Sequence, residues 1–141
     1  MTDITVEFLR KQEEQFGKAF AASDVELARS LYQPDVVYIS PTVRLFEWPQ
    51  KILGIEKALE FIQLTIMACE GTSYEAVELW PSPDGKSAYV RVHFDWDAGS
   101  NRLRSNYVIV YRYKGGLIAQ QELYYDPNGR LEVLSGPPLE D

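Results

Sequence analysis

The order of patterns along the chain constrains the fold most: helical periodicity fills the first half, and closely spaced β-rich runs fill the second. Four such runs cover about residues 73–80, 87–97, 102–113 and 117–126. They are separated only by Pro81-Ser82-Pro83-Asp84-Gly85, Gly99-Ser100-Asn101 and Lys114-Gly115-Gly116. Connections this short join antiparallel neighbours, because a parallel pair needs a crossover of a dozen residues or more. Helices followed by a meander place the chain in the α+β class, with helices gathered on one face of a curved sheet.

The helices are legible from spacing. From Asp3 to about Ala22, Ile4, Phe8, Phe16, Ala19 and Phe20 recur at helical intervals, with charged Glu7, Lys11, Glu13 and Lys18 between them. Ser23-Asp24-Val25-Glu26 has the capping-box spacing, which predicts a short second helix carrying Leu27, Ala28 and Leu31 and stopping before Pro34. Residues 35–40 read as a strand and 41–52 as a loop. A third helix follows from Gly54 to Ala68, with Ile55, Ala58, Leu59, Ile62 and Ile66 on one stripe and Gly71 ending it. With no linker or repeat inside its 141 residues, the chain reads as one domain over 1–141, with an irregular tail over 128–141.

Composition removes several function classes. Fourteen Lys and Arg against 21 Asp and Glu leave a net charge of −7, a field that repels a phosphate backbone, so no nucleic-acid partner is expected. A single cysteine, Cys69, gives no disulfide scaffold. No apolar stretch approaches the roughly 20 residues that span a bilayer, and Met1-Thr2-Asp3 lacks a basic leader, which predicts a cytoplasmic protein without a membrane partner. One histidine and one cysteine suit no common zinc site. No phosphate-binding glycine loop or G-x-S-x-G occurs either, so neither a metal nor a cofactor is expected.

The informative strand is Tyr89 to Asp97. Alternation puts Val90, Val92, Phe94 and Trp96 on one face and Arg91, His93, Asp95 and Asp97 on the other. The second row could supply a general acid-base (His93), an orienting carboxylate (Asp95) and an anion stabiliser (Arg91). By hydrophobicity alone, the Val/Phe/Trp face is core and the polar row faces solvent. Leu103, Ser105, Tyr107, Ile109, Tyr111 and Tyr113 form an unusually aromatic face on the next strand. Tyrosine hydroxyls need partners when buried, which a cavity with polar fittings would supply.

Three motifs in this order resemble the NTF2-like superfamily, most closely its SnoaL-like branch. They are Ala22-Ser23-Asp24 through Leu31-Tyr32-Gln33-Pro34-Asp35-Val36-Val37-Tyr38, then Gly54-Ile55-Glu56-Lys57-Ala58-Leu59-Glu60-Phe61, then Tyr124-Tyr125-Asp126-Pro127. The resemblance covers about residues 6–127. It implies a cone of three helices in a curved sheet, an apolar pocket, and in many members a homodimer. Its members include polyketide cyclases, isomerases, dehydratases, epoxide hydrolases and non-catalytic modules. Positions equivalent to the three functional residues of ketosteroid isomerase are held here by Phe16, Ser40 and Ile109, so that activity is not expected. Limonene-epoxide hydrolase is similar at Tyr38, but its Arg-x-Asp pair aligns with Arg91-Val92-His93 and its carboxylate base with Leu123. A β-bulge near residues 120–122 would turn Glu122 inward instead.

The resemblance also implies that the Arg91/His93/Asp95 face lines the cavity. The expectation is then a cofactor-independent enzyme acting on a hydrophobic small molecule, with His93, Arg91, Asp95 and Tyr38 catalytic. Phe16, Phe20, Ser40, Ser105, Tyr107, Ile109, Gln121, Leu123 and Tyr125 would contact substrate. The alternative is a binding or dimerisation module without catalysis.

Overall fold

A computed structural model describes residues 3–125 and 132–137. Helix α1 spans Val6–Ala21 and is capped by Thr5, whose hydroxyl accepts the Phe8 N–H at 3.1 Å. Its buried stripe is Leu9, Gln12, Glu13, Phe16 and Ala19, so two polar residues stand at core positions. The helix ends with Ser23 at φ 52°. Ser23 N–H returns to Phe20 O, and Asp24 N–H to Ala19 O, the pattern of a Schellman stop built without glycine.

That stop overrides the expected capping box. Asp24, not Ser23, caps the next segment by accepting the Glu26 N–H at 3.1 Å, and residues Val25–Leu31 wind as a 3-10 helix. Strand β1 is Tyr32–Ile39, starting earlier than expected. The segment expected as loop contains a 3-10 helix, Pro41–Phe46, and a short strand β2, Lys51–Leu53, antiparallel to β1. Helix α2 covers Ile55–Ala68 and buries Ala58, Leu59, Phe61, Ile62 and Ile66.

The meander follows as β3 Glu70–Pro81, β4 Ser87–Ala98, β5 Asn101–Lys114 and β6 Leu117–Tyr125, each antiparallel to the next. Strand β1 lies beside β6 and parallel to it, so the sheet is mixed, with order β2-β1-β6-β5-β4-β3. Residues Glu132–Ser135 form β7 on β5, so this part of the tail is strand where irregular chain was expected. Residues 128–131 and 138–141 of that expected tail lie outside the described residues.

One face of the curved sheet carries the core. Val36, Val90, Val92, Ile109 and Ile118 share one buried cluster with Leu59, Phe61, Ile62 and Ile66 of α2 and with Phe16 and Ala19 of α1. Fully burying such a side chain contributes about 1.5–3 kcal/mol, which makes this face the main source of stability. The fold is an α+β NTF2-like cone. Among the described residues, no helix is long and apolar enough to cross a membrane.

Candidate functional site

Where the helices diverge from the sheet, the core leaves a cavity of about 170 Å³. Helix α1 contributes Phe16 and Phe20, and α2 contributes Phe61, Ile62 and Thr65, with Cys69 just beyond it. The sheet supplies Tyr74 from β3, Phe94 and Trp96 from β4, and Ser105, Tyr107 and Ile109 from β5. Tyr32 and Tyr38 come from β1, Ser40 from just beyond it, and Gln121 and Leu123 from β6. Tyr38, expected to be catalytic, and Phe16, Phe20, Ser40, Ser105, Tyr107, Ile109, Gln121 and Leu123, expected to contact substrate, line this cavity. The side chain of Tyr125 lies outside the described residues.

The polar row of β4 does not line the cavity. Phe94 pairs with Ser105 and Val92 with Tyr107, and residues directly opposite on antiparallel strands share a face. The inward serine and tyrosine therefore bring Val92, Phe94 and Trp96 inward and turn Arg91, His93 and Asp95 to the outer face. His93 stands between Glu75 of β3 and Asn106 of β5 in register. Arg91 is exposed, with Nη1 3.7 Å from Glu78 Oε1. Asp95 does not orient His93: its carboxylate accepts Arg104 Nε–H at 2.8 Å and Nη2–H at 3.1 Å, a bidentate pair. The expectation that this row meets a pocket ligand is corrected by the register.

A bulge does interrupt β6, one step before the expected place. Arg112 pairs with Gln120 and Tyr113 with Ile118, leaving Ala119 as the extra residue. The insertion flips facing, so Ile118 and then Gln121 and Leu123 point inward. Glu122 points outward, where it accepts from Gln120 Nε2 and the Tyr124 hydroxyl. Inside, Tyr32 donates its hydroxyl hydrogen to Gln121 Oε1 at 2.6 Å.

The chemistry that spacing missed lies one side chain behind the wall. Glu13, 4% exposed, accepts at Oε1 from the Tyr74 hydroxyl and at Oε2 from the Tyr111 hydroxyl (2.9 Å) and Gln12 Nε2 (2.9 Å). Gln12 Oε1 in turn accepts from the Tyr113 hydroxyl at 2.7 Å. Burial pushes the Glu13 carboxyl above the ordinary carboxylate range, against the opposing pull of these hydrogen bonds. Burial likewise pushes the Tyr32, Tyr74 and Tyr111 phenols well above theirs and the Cys69 thiol upward. The signal was in the sequence. Glu13 lies four residues after Leu9 and three before Phe16, on the apolar stripe rather than opposite it. The other unanticipated lining residues, among them Tyr32, Phe61, Phe94 and Trp96, belong to faces that read as ordinary core.

The described residues lining the cavity include no Asp, Glu, Lys, Arg or His. It is an apolar, aromatic chamber with hydroxyl and amide fittings, suited to a neutral ring-shaped molecule bearing few polar atoms. Among the described residues, no group of three His, Cys, Asp or Glu is placed to hold a metal ion.

Solved structures share this architecture. RV0760c from Mycobacterium tuberculosis superposes with a TM-score of 0.72 at 20% identity, over 92% of this chain and 98% of that one. TerC, co-crystallised with polyporic acid, gives 0.70 at 16% identity, over 84% and 92%. A computationally designed 17-OHP binder gives 0.67 at 21% identity, over 89% and 95%. No curated protein matches this sequence. The family model described as a SnoaL-like domain matches residues 14–121, the span running from α1 through the inward-facing Gln121. The chain therefore belongs to the SnoaL-like domain family, whose members are small-molecule-binding or isomerase- and cyclase-type proteins.

Proposed function

We propose that the protein holds a hydrophobic, ring-bearing small molecule inside its cone. The observation that carries this reading is the cavity lining: Phe16, Phe20, Phe61, Phe94 and Trp96 offer ring faces, and the polar fittings are neutral. Such a surface rewards apolar burial and leaves an ionised ligand without a counter-charge. Two structures of similar fold carry or are built for small molecules, polyporic acid in one and 17-OHP in the other. Trp96 reports occupancy. Titrating a panel of one- and two-ring aromatics should change tryptophan emission saturably in the wild type, and Trp96→Phe should remove most of that change. An unsaturable response across the panel would overturn the reading.

A catalytic form of the same reading is favoured by one further observation, the Glu13 carboxyl bonded to a cavity-lining phenol, Tyr74. Cofactor-independent proton transfer of the cyclase, isomerase, dehydratase or hydrolase type needs a titratable group near the ligand. This pair is the candidate in place of the outer-face His93. Conversion of a bound compound, followed by mass spectrometry, should fall about 10² to 10⁴-fold in Glu13→Gln. The reading also takes the protein as a cytoplasmic homodimer. The exposed Trp80, Tyr89 and Tyr124 on the outer sheet face support self-association, which sedimentation would test.

A further inference from the structure

Tyr74 is the one described residue that both lines the cavity and bonds the buried Glu13 carboxyl. Its ring is clamped in place, stacked on Phe20 at 5.0 Å with an interplanar angle of 2°. The two oxygens of Glu13 are not equivalent. Oε2 already accepts from Tyr111 and Gln12, whereas Oε1 faces Tyr74 alone among the described partners. A carboxylate is acceptor-only, so an ionised Glu13 holds the phenolic hydrogen of Tyr74. A neutral Glu13 carries its proton on the less crowded Oε1 and becomes the donor. Tyr74 Oη then accepts, and its own hydrogen is released. With an empty cavity that hydrogen can turn to Tyr111, which also neighbours Tyr74. An acceptor oxygen on a ligand competes for it.

We infer, resting on the ligand-binding reading above, that Glu13 and Tyr74 form a proton-linked recognition pair that selects ring compounds carrying a neutral acceptor oxygen, such as an aryl ketone. Tyr74 is the group that meets the ligand. Glu13 acts through it as a positioning residue whose protonation decides where the phenol points. The titratable groups facing Glu13 are Tyr74 from β3, Tyr111 and Tyr113 from β5 and Tyr32 from β1. All are phenols held neutral by burial, and no cation pairs with Glu13 among the described residues. The surroundings therefore favour the neutral acid, in the direction that burial already pushes it.

The test uses two probes of nearly the same shape, neither of which ionises: acetophenone, with a carbonyl oxygen, and cumene, with a methyl group in its place. Binding to the intact chain is followed by NMR shift titration across the pH range in which the Glu13 carboxyl, read by its own carbon-13 shift, passes from neutral to ionised. Acetophenone affinity should be constant while Glu13 is neutral and then fall, by at most about tenfold per pH unit, to the level its apolar contacts alone support as Glu13 ionises, with cumene affinity flat throughout. In Glu13→Gln, the amide stays a donor at every pH, so acetophenone binds without pH dependence. In Tyr74→Phe, acetophenone loses its advantage over cumene and both profiles are flat. A flat wild-type acetophenone profile with saturable cumene binding overturns this inference alone, and that profile decides the matter even if a variant fails to fold. A pH-dependent profile that persists in Glu13→Gln also overturns it. Absence of saturable cumene binding overturns the ligand-binding reading and this inference with it.

Discussion

Tyr111, in the longest strand of the sheet, donates its hydroxyl hydrogen to Oε2 of Glu13 at 2.9 Å, joining residues 98 positions apart. Helix α1 is thus fastened to the sheet by a polar contact at a place where apolar packing alone would be ordinary.

Breaking that contact has a measurable cost. Tyr111→Phe keeps the ring packed against Phe16 but leaves the buried carboxyl with one donor fewer. The expected loss is about 1–3 kcal/mol, read as a lower urea midpoint at unchanged slope.

Glu13 also sets a pH dependence of stability. Its folded-state pKa is raised, so the unfolded chain releases this proton first as pH rises. Stability therefore falls from the unfolded carboxyl pKa, near 4.5, up to the folded one, by about 1.4 kcal/mol per pH unit, and levels off above it. Glu13→Gln should remove this slope from a series of urea melts. A slope unchanged in the variant would assign the effect to another group.

Filling the cavity should separate binding from folding. Ser105 and Leu123 reach it from adjacent strands. Ser105→Trp or Leu123→Trp should abolish binding of cumene-sized probes at a cost of about 1–3 kcal/mol for overpacking. Calorimetry and thermal melts on the same samples measure both.

The outer row gives the opposite expectation. His93→Ala and Arg91→Ala should leave ligand affinity unchanged and stability within about 0.5 kcal/mol, as for surface substitutions. Asp95→Ala should also spare binding, yet it strips Arg104 of its bidentate partner and should cost about 1.5–3 kcal/mol. Affinity loss in His93→Ala would return that imidazole to the ligand's reach.

The contrast between Phe94 and His93 shows how far the sequence could be read. Alternation correctly grouped Val92 with Phe94 and Trp96, and Arg91 with His93 and Asp95. The cavity-lining set of Ser105 and Tyr107 was also right. The two were incompatible with an inward His93, because a two-residue turn at Gly99-Ser100 sets Phe94, not His93, opposite Ser105. Hydrophobicity alone places Val92, Phe94 and Trp96 in the core, and the register agrees with it rather than with the inward row that the family resemblance implies. Glu13 is legible too, since it stands on the Leu9-to-Phe16 stripe, although its charge by itself predicts exposure. The 3-10 character of Val25–Leu31 was not legible, since it follows from how Ser23 closes α1.

By itself, then, the sequence determined the α+β class, the helical stripes, the facing groups of the 89–97 and 102–113 strands and the family. These follow from periodicity and local turn chemistry, which act over a few residues. Tertiary structure alone decided which group of each strand faces the helices. It placed the bulge at Ala119 that turns Gln121 and Leu123 inward, and it brought Glu13 together with Tyr74 and Tyr111. Those outcomes depend on inter-strand register and on contacts between distant segments, and a buried carboxyl becomes chemistry only when the fold removes water from around it.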